Sequence, residues 1–193
     1  MKPAHEGSSI GLTKVATLEK IQPAYELAAK CDTLVIAEEF IGGRELTAAF
    51  LEDRALPLIR IEAPGGNYDY HSKYFSDETK YFCPAGLPED KEMEIRAMCL
   101  RAFDIVGCTG WGRLDLILRD DGTFSILEVN TSPGMTGHSL VPMAAKAAGM
   151  SYPDLCVEIL RGTHLGSPTL ASLAAPEGGA MTALGRPGGG HVG

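Results

Sequence analysis

Arg113-Leu114-Asp115-Leu116-Ile117-Leu118-Arg119-Asp120-Asp121-Gly122-Thr123-Phe124-Ser125-Ile126-Leu127-Glu128-Val129-Asn130 places Asp121-Gly122 between two apolar-rich runs, a strong local signal for a β-hairpin. With those two residues at the centre of a two-residue turn, Asp115 lies opposite Glu128 and Arg113 opposite Asn130. Side chains alternate between faces along a strand, so these four polar groups share one face. Leu114, Leu116 and Leu118 then point the other way with Leu127 and Val129, as a core face. One reading of the polar side is a solvated sheet surface. Against it, Asp115 across from Glu128 sets two carboxylates roughly 5 Å apart at Cβ, a like-charge pair that calls for a bridging cation. The amide oxygen of Asn130 completes a set of hard oxygen donors, which suits Mg²⁺ bound through carboxylates, phosphates and waters.

Beyond the hairpin, Thr131-Ser132-Pro133-Gly134-Met135-Thr136-Gly137-His138-Ser139-Leu140 leads into a helix. It is either a plain strand-to-helix connection or a loop whose backbone N–H groups hold an anion or oxyanion. Upstream, Glu6-Gly7-Ser8-Ser9-Ile10-Gly11 is either a glycine–serine turn or a cover for phosphate, with Lys2 nearby as a point charge. The lack of a following Gly-Lys-Ser/Thr excludes a P-loop. Tyr68-Asp69-Tyr70-His71-Ser72-Lys73-Tyr74 is open in the same way: a surface loop with aromatic anchors, or one that brings Lys73 to a phosphate.

Around these motifs the patterning predicts a helix over 20–30, a buried strand over 33–37, and a hairpin whose arms are 45–51 and 56–62. Met93, Ala97, Leu100 and Phe103 recur at spacings of three and four, which predicts an amphipathic helix over 90–106. Short helices fit 139–148 and 152–160. A sheet with covering helices and no strict βαβ alternation predicts an α+β fold.

The 193 residues suffice for one domain with a tail, and the net charge of −8 argues against a nucleic-acid partner. No apolar run is long enough for a membrane span or signal peptide, so the expected location is cytoplasmic. Five scattered cysteines without C-x-x-C spacing fit neither a disulfide framework nor a zinc site. From 162 to 193 the chain holds nine of its 23 glycines and only Glu177 and Arg186 as acidic or basic side chains, the composition of a disordered Gly/Pro-rich tail.

Taken in order, Lys2-Pro3 with Glu6-Gly7-Ser8-Ser9, Tyr68-Asp69-Tyr70 with Lys73-Tyr74, Gly110-Trp111-Gly112-Arg113-Leu114-Asp115, Glu128-Val129-Asn130-Thr131-Ser132-Pro133-Gly134-Met135-Thr136 and Ser139-Leu140-Val141-Pro142 resemble the C-terminal part of the D-alanine–D-alanine ligases, enzymes of the ATP-grasp superfamily. The resemblance covers residues 2 to about 161. It implies a partial ATP-grasp fold in which 1–44 is the remainder of the central subdomain and 45–161 the C-terminal catalytic domain. It also implies ATP-dependent ligation of two D-alanine molecules through an acyl phosphate, for peptidoglycan synthesis, by a homodimer when full length.

By the same resemblance, Asp115, Glu128 and Asn130 bind two Mg²⁺ ions, with Mn²⁺ as a substitute. Arg113 and the Gly134 N–H stabilise the oxyanion, and Ser139 with Leu140 receives the second D-alanine's carboxylate. Lys2 and Lys73 neutralise ATP phosphates. The Ser8–Ser9 loop and the Tyr74 loop close over the site, and Tyr74 favours D-alanine over D-lactate. Glu38, Glu39, Phe40 and Ile41 match the family's nucleotide hinge and Glu45 its ribose acceptor; Phe40 and Ile41 could equally be core. Glu39 stands where relatives often have lysine. The family's N-terminal domain and the first part of its central domain have no counterpart in these residues, so the expectation is a fragment. Its alternatives are an inactive remnant that binds only Mg-nucleotide, and another ATP-grasp carboxylate–amine ligase.

Overall fold

In the computed structural model, residues 1–7, 9–63 and 79–163 are described. Ser8, residues 68–70, Lys73, Tyr74 and the segment 164–193 lie outside them. The elements are β1 (Lys2–Pro3), α1 (Ile21–Ala29, entered through a 3₁₀ turn at Leu18–Lys20), β2 (Val35–Ile36), β3 (Arg44–Leu51), β4 (Arg54–Ala55), β5 (Ile59–Glu62), β6 (Lys80–Phe82), α2 (Glu89–Ile105), β7 (Trp111–Leu118), β8 (Phe124–Asn130), α3 (Leu140–Ala147) and α4 (Tyr152–Gly162). Strands β6-β5-β3-β7-β8 form an antiparallel sheet with β4 attached to β3, and β1 pairs with β2. The fold is α+β, as the patterning predicts.

The long strands β3 and β7 are paired along their whole length, from Arg44 opposite Leu118 to Leu51 opposite Trp111. Strand alternation sorts their side chains. Leu46, Ala48 and Phe50 join Leu114, Leu116 and Leu118 on the face covered by α2, where they meet Ile95, Cys99 and Phe103. Phe103 stacks on Phe50 at 4.9 Å between ring centroids. Gly112 makes room for that ring, since a Cβ there would stand 2.5 Å from Phe103 Cε2. On the other face Ala49, Leu51, Ile59 and Ile61 pack against Leu140, Val141, Ala144 and Ala145 of α3 and Leu155 of α4. Thr47, Arg113 and Asp115 share this second face by alternation.

Four local expectations are corrected. The α2 stripe is Ile95, Cys99 and Phe103, whereas Met93 and Ala97 are exposed. Both sets satisfy helical spacing; the choice follows from anchors on the sheet side, where Glu92 accepts from the Leu58 N–H at 3.1 Å and Arg96 donates to the Ala55 carbonyl. The expected strand 33–37 shrinks to Val35–Ile36, half-buried, because its partner β1 is only two residues long. Helix α4 continues to Gly162, two residues past the expected end.

The β7–β8 connection is a three-residue loop, Asp120-Asp121-Gly122, rather than a two-residue turn. The Arg119 N–H bonds the Thr123 carbonyl at 2.8 Å, and Gly122 takes the left-handed φ of +84° that such loops require. This shifts the pairing by one residue near the turn, to Leu118 opposite Phe124. A bulge between Asp115 and Leu116 shifts it back, so Asp115 still faces Glu128 and Arg113 still faces Asn130. The residue passed over by the pairing is Leu127, which is 48% exposed instead of lying in the core.

Burial pushes the Cys99 thiol up to about 12, while Cys31 is exposed. Iodoacetamide at pH 8 is therefore expected to label Cys31 in the folded chain and Cys99 only after denaturation, as read by peptide mass spectrometry. Comparable native labelling of Cys99 would contradict its place under α2.

Asp32 links the pieces around β1 and β2. Its carboxylate accepts from the Leu34 N–H at 3.1 Å and the His5 N–H at 2.8 Å, with His5 Nδ1 2.7 Å away. These bonds, that of Leu34 foremost, lower its carboxyl pKa from 3.8 to about 2. A depressed folded-state value means stabilisation that is present above the unfolded value and lost as pH falls through the folded one. The melting-temperature advantage of the native chain over Asp32→Asn should accordingly be constant above about pH 5 and shrink toward pH 2. An advantage that does not change over that range would contradict the assignment.

Candidate active site

Strand β7 carries Arg113 and Asp115 two residues apart on one face, with side chains 9% and 14% exposed. The guanidinium grips the carboxylate with two hydrogen bonds, Nε to Oδ1 at 2.9 Å and Nη2 to Oδ2 at 2.8 Å. Such fork-to-carboxylate pairing is among the stronger hydrogen-bonded contacts in proteins. Thr47 Oγ1 donates to Oδ1 at 2.6 Å, and Asn130 Nδ2 donates to Oδ2 at 3.2 Å. A carboxylate has about four lone-pair directions, so these bonds occupy all of them. Asn130 Nδ2 lies equally near Glu128 Oε1, at 3.2 Å, and so links the two acids.

The pairing of four polar groups on one sheet face agrees with the expected register, but its charge balance differs. Asp115 is neutralised by Arg113 from its own strand, and the amide of Asn130 sits between the carboxylates. Repulsion between Asp115 and Glu128 therefore does not by itself require a metal. The donor chemistry nonetheless fits one. A half-turn of the Asn130 amide replaces Nδ2 by Oδ1, frees one direction on Asp115 and leaves three oxygens converging from Asp115, Glu128 and Asn130. Among the described residues no group of three or more His, Cys, Asp or Glu could hold a metal. Two carboxylates and an amide suit a hard cation whose remaining ligands are phosphate and water oxygens.

Past Asn130 the chain turns into α3, with Ser139 as its N-cap residue. Ser139 Oγ accepts from the Thr136 N–H at 2.9 Å, and the Ser139 N–H returns a bond to the Thr136 carbonyl at 3.0 Å. Tyr152 of α4 pins the loop by donating to the Met135 carbonyl at 2.7 Å. Gly134 packs against this turn, where an added Cβ would meet Ser139 Oγ at 3.0 Å. Leu140 is buried in the core, so only its main chain is available to a ligand.

Near the N-terminus, Met1 and Thr13 bond each other in both directions, at 3.1 and 2.8 Å, closing the base of the loop that holds Ser9. Lys2 pairs with Glu38 at 2.7 Å. Lys14 places its ammonium 3.5 Å from the Phe40 ring centroid, within reach of a cation–π attraction. Phe40 is 56% exposed, which removes the reading of it as core; Ile41 is half-buried and Glu39 exposed. Glu45 lies on β3 on the same face as Thr47, opposite Ile117. The structure thus joins Arg113, Asp115, Glu128 and Asn130 in one bonded group, Lys2 with Glu38, and Gly134 with Ser139.

Lys14 and Thr47 are among the residues in these contacts that the sequence does not single out. Lys14 carried no motif, since a cation–π contact across 26 residues leaves no local trace. Thr47 carried a weak one: it is the polar residue in the run Leu46-Thr47-Ala48-Ala49-Phe50-Leu51.

Removing one partner of a buried, hydrogen-bonded ion pair is strongly destabilising, at about 3–5 kcal/mol. Asp115→Ala is thus expected to lower chemical-denaturation stability by that order. Glu128→Gln, at an exposed position, should leave stability unchanged within about 0.5 kcal/mol. Equal effects of the two substitutions would contradict the assignment of the buried pair.

The family model described as D-ala D-ala ligase C-terminus matches residues 1–161. A D-alanine–D-alanine ligase of Azoarcus sp. is 60% identical over 166 residues, covering 86% of this chain and 55% of the relative. That of Acidovorax ebreus is 53% identical over 191 residues and covers 96% of this chain and 55% of the relative, so its match extends into the Gly/Pro-rich segment beyond residue 161. Among solved structures, the VanG D-Ala:D-Ser ligase from Enterococcus faecalis is similar with a TM-score of 0.74 at 34% identity, over 83% of this chain and 48% of that one. A D-alanine–D-alanine ligase from Bacillus anthracis complexed with ATP gives 0.66 at 30% identity, over 77% and 48%. The chain spans about half the length of the curated relatives it matches. With the family model matched over residues 1–161 and a solved member superposing at a TM-score of 0.74, the chain belongs to the D-alanine–D-alanine ligase family and has the fold of that family's C-terminal, ATP-grasp part.

Proposed function

We propose that this chain carries the catalytic half of an ATP-dependent ligase that joins two D-alanine molecules into D-alanyl-D-alanine for peptidoglycan synthesis. The observation that carries the reading is the group Arg113–Asp115–Asn130–Glu128, kept in register on one sheet face by the bulge in β8. Support also comes from the family match over residues 1–161. In this reaction the γ-phosphoryl group of ATP passes to the carboxylate of one D-alanine, giving an acyl phosphate and ADP. The amine of the second attacks the acyl carbon, phosphate leaves, and the attacking nitrogen gives up a proton.

Each group has a part in that sequence. Asp115, Glu128 and Asn130 would hold up to two Mg²⁺ ions, or Mn²⁺, which supply charge neutralisation at the phosphates. Arg113, oriented by Asp115, would stabilise the oxyanion together with the Gly134 N–H. Ser139 and the main chain of Leu140 receive the second substrate's carboxylate. Lys2 and Lys73 would neutralise the nucleotide phosphates, Lys2 exchanging Glu38 for phosphate oxygen. Glu38, Phe40 and Ile41 line the base and Glu45 takes a ribose hydroxyl. By resemblance to the family, Ser8, Ser9 and Tyr74 would close over the site and exclude water. Residues 1–44 serve as the remainder of the central subdomain and 45–161 as the catalytic domain. The complete enzyme works as a homodimer in the cytoplasm, where ATP is available. No helix among the described residues is long and apolar enough to cross a membrane.

The test is phosphate release from MgATP by the protein containing this chain together with the part its relatives carry ahead of it. Stimulation by D-alanine, with D-alanyl-D-alanine as product, is expected. No stimulation would overturn the proposal. A parallel assay adds D-serine, since a solved relative is a D-Ala:D-Ser ligase. A larger response to mixed D-alanine and D-serine than to D-alanine alone would reassign the second substrate.

A further inference from the structure

Strand β3 runs through the middle of the six-stranded sheet, and from Leu46 to Leu51 it is buried throughout. Among the described residues, Thr47 and Arg113 are the buried polar ones. A hydroxyl in such a place costs stability unless it finds a hydrogen-bond partner, and a hydrophobe of the same shape would avoid the problem. Thr47 is therefore a position where apolar packing alone would favour valine.

Its neighbours show what the hydroxyl does. On one side Thr47 faces Ile59, which has no polar side chain; on the other it faces Asp115. The single hydroxyl proton has two acceptors within reach, the Leu114 carbonyl at 3.2 Å and Asp115 Oδ1 at 2.6 Å. The shorter contact, to a charged oxygen, is the stronger. Thr47 thus holds Oδ1 from the β3 side, while Arg113 holds the carboxylate from along β7 and Asn130 holds Oδ2 from β8. The terminal torsion of an aspartate is intrinsically broad, so its plane is set by such bonds. Arg113 is also the group proposed to reach the oxyanion, and Asn130 has to turn its amide to ligate a cation. Thr47 is the member of the set with neither task.

We infer that Thr47 is a positioning residue: its hydroxyl keeps the Asp115 carboxylate aimed toward Asn130 and Glu128, so that these three can take a divalent cation. The inference rests on the reading of those three residues as the metal set. It differs from a packing role in what it requires of substitutions. Thr47→Val keeps the shape and β-branching of the strand residue and removes only the bond. Thr47→Ser keeps the bond and removes a methyl group. Supporting groups behind a metal ligand are typically worth about 10- to 100-fold in metal affinity.

The probe is Mn²⁺ binding to the full 193-residue chain in the presence of ATP, followed by the loss of the free-ion electron paramagnetic resonance signal and corrected for Mn²⁺ bound by ATP alone. Thermal melting of each variant runs alongside. Thr47→Val should weaken Mn²⁺ binding by about 10-fold while still melting cooperatively as a folded chain, and Thr47→Ser should restore affinity to near native. Thr47→Ala, which removes the same hydroxyl without the valine's bulk, should weaken it likewise. Native-like Mn²⁺ binding by both Thr47→Val and Thr47→Ala would overturn the positioning role while leaving the metal set standing. Equal weakening by Thr47→Ser and Thr47→Val would overturn it as well, pointing to the methyl group. A native chain that takes up no Mn²⁺ beyond that held by ATP would remove the metal reading itself.

Discussion

The two hydrogen bonds between Arg113 and Asp115 are the constraint on which the surrounding structure depends. Taking two charges out of water costs several kcal/mol per ion, and their attraction offsets this only when the remaining donors and acceptors are also satisfied. Here the satisfaction comes from two other strands, through Thr47 on β3 and Asn130 on β8. The pair is tolerated in the sheet because three strands meet in one register. A slip of one residue between β3 and β7 would turn Arg113 and Asp115 into the layer occupied by Leu114, Leu116 and Leu118. The buried pair thus selects the alignment that also brings Glu128 alongside.

The same alternation that separates charge from core lets one sheet do two jobs. Its α2 side is a closed apolar layer in which Phe50 and Phe103 stack and Gly112 leaves space for the ring. Its other side is apolar where α3 and α4 pack and polar where Thr47, Asp115 and Arg113 stand. A sheet that carries the polar groups, with loops leading from its edge, fixes their geometry without asking the loops to do so. The loop from Asn130 to Ser139 follows this pattern: it is held at Met135 by Tyr152 and at Thr136 by Ser139.

Much of this was legible along the chain, for reasons visible in particular residues. The alternation Arg113-Leu114-Asp115-Leu116 and the pattern Glu128-Val129-Asn130 state which side chains share a face, because that depends only on the period of a strand. Asp121-Gly122 marks a reversal, and Gly122 does adopt the left-handed conformation that a reversal requires. The loop is one residue longer than Asp121-Gly122 predicts, yet Asp115 does stand opposite Glu128. Two departures cancelled: an extra loop residue near the turn and a bulge at Leu127. Neither is encoded by local propensity alone.

What the sequence by itself determined is the α+β class, the order of the chemical groups and the face each occupies, since these follow from local periodicity and motif. What only the tertiary structure decided depends on distant partners. The side of α2 that is buried was settled by Leu58 and Ala55, not by the helix's own spacing. The charge partner of Asp115 is the neighbouring Arg113, and the hydroxyl of Thr47, 68 residues earlier, completes its shell. Lys14 meets Phe40, and Lys2 meets Glu38, across a loop closed by Met1 and Thr13. Periodicity constrains a residue against its near neighbours, whereas hydrogen bonds and ion pairs are satisfied in space, and only folding brings those donors and acceptors within bonding distance of one another.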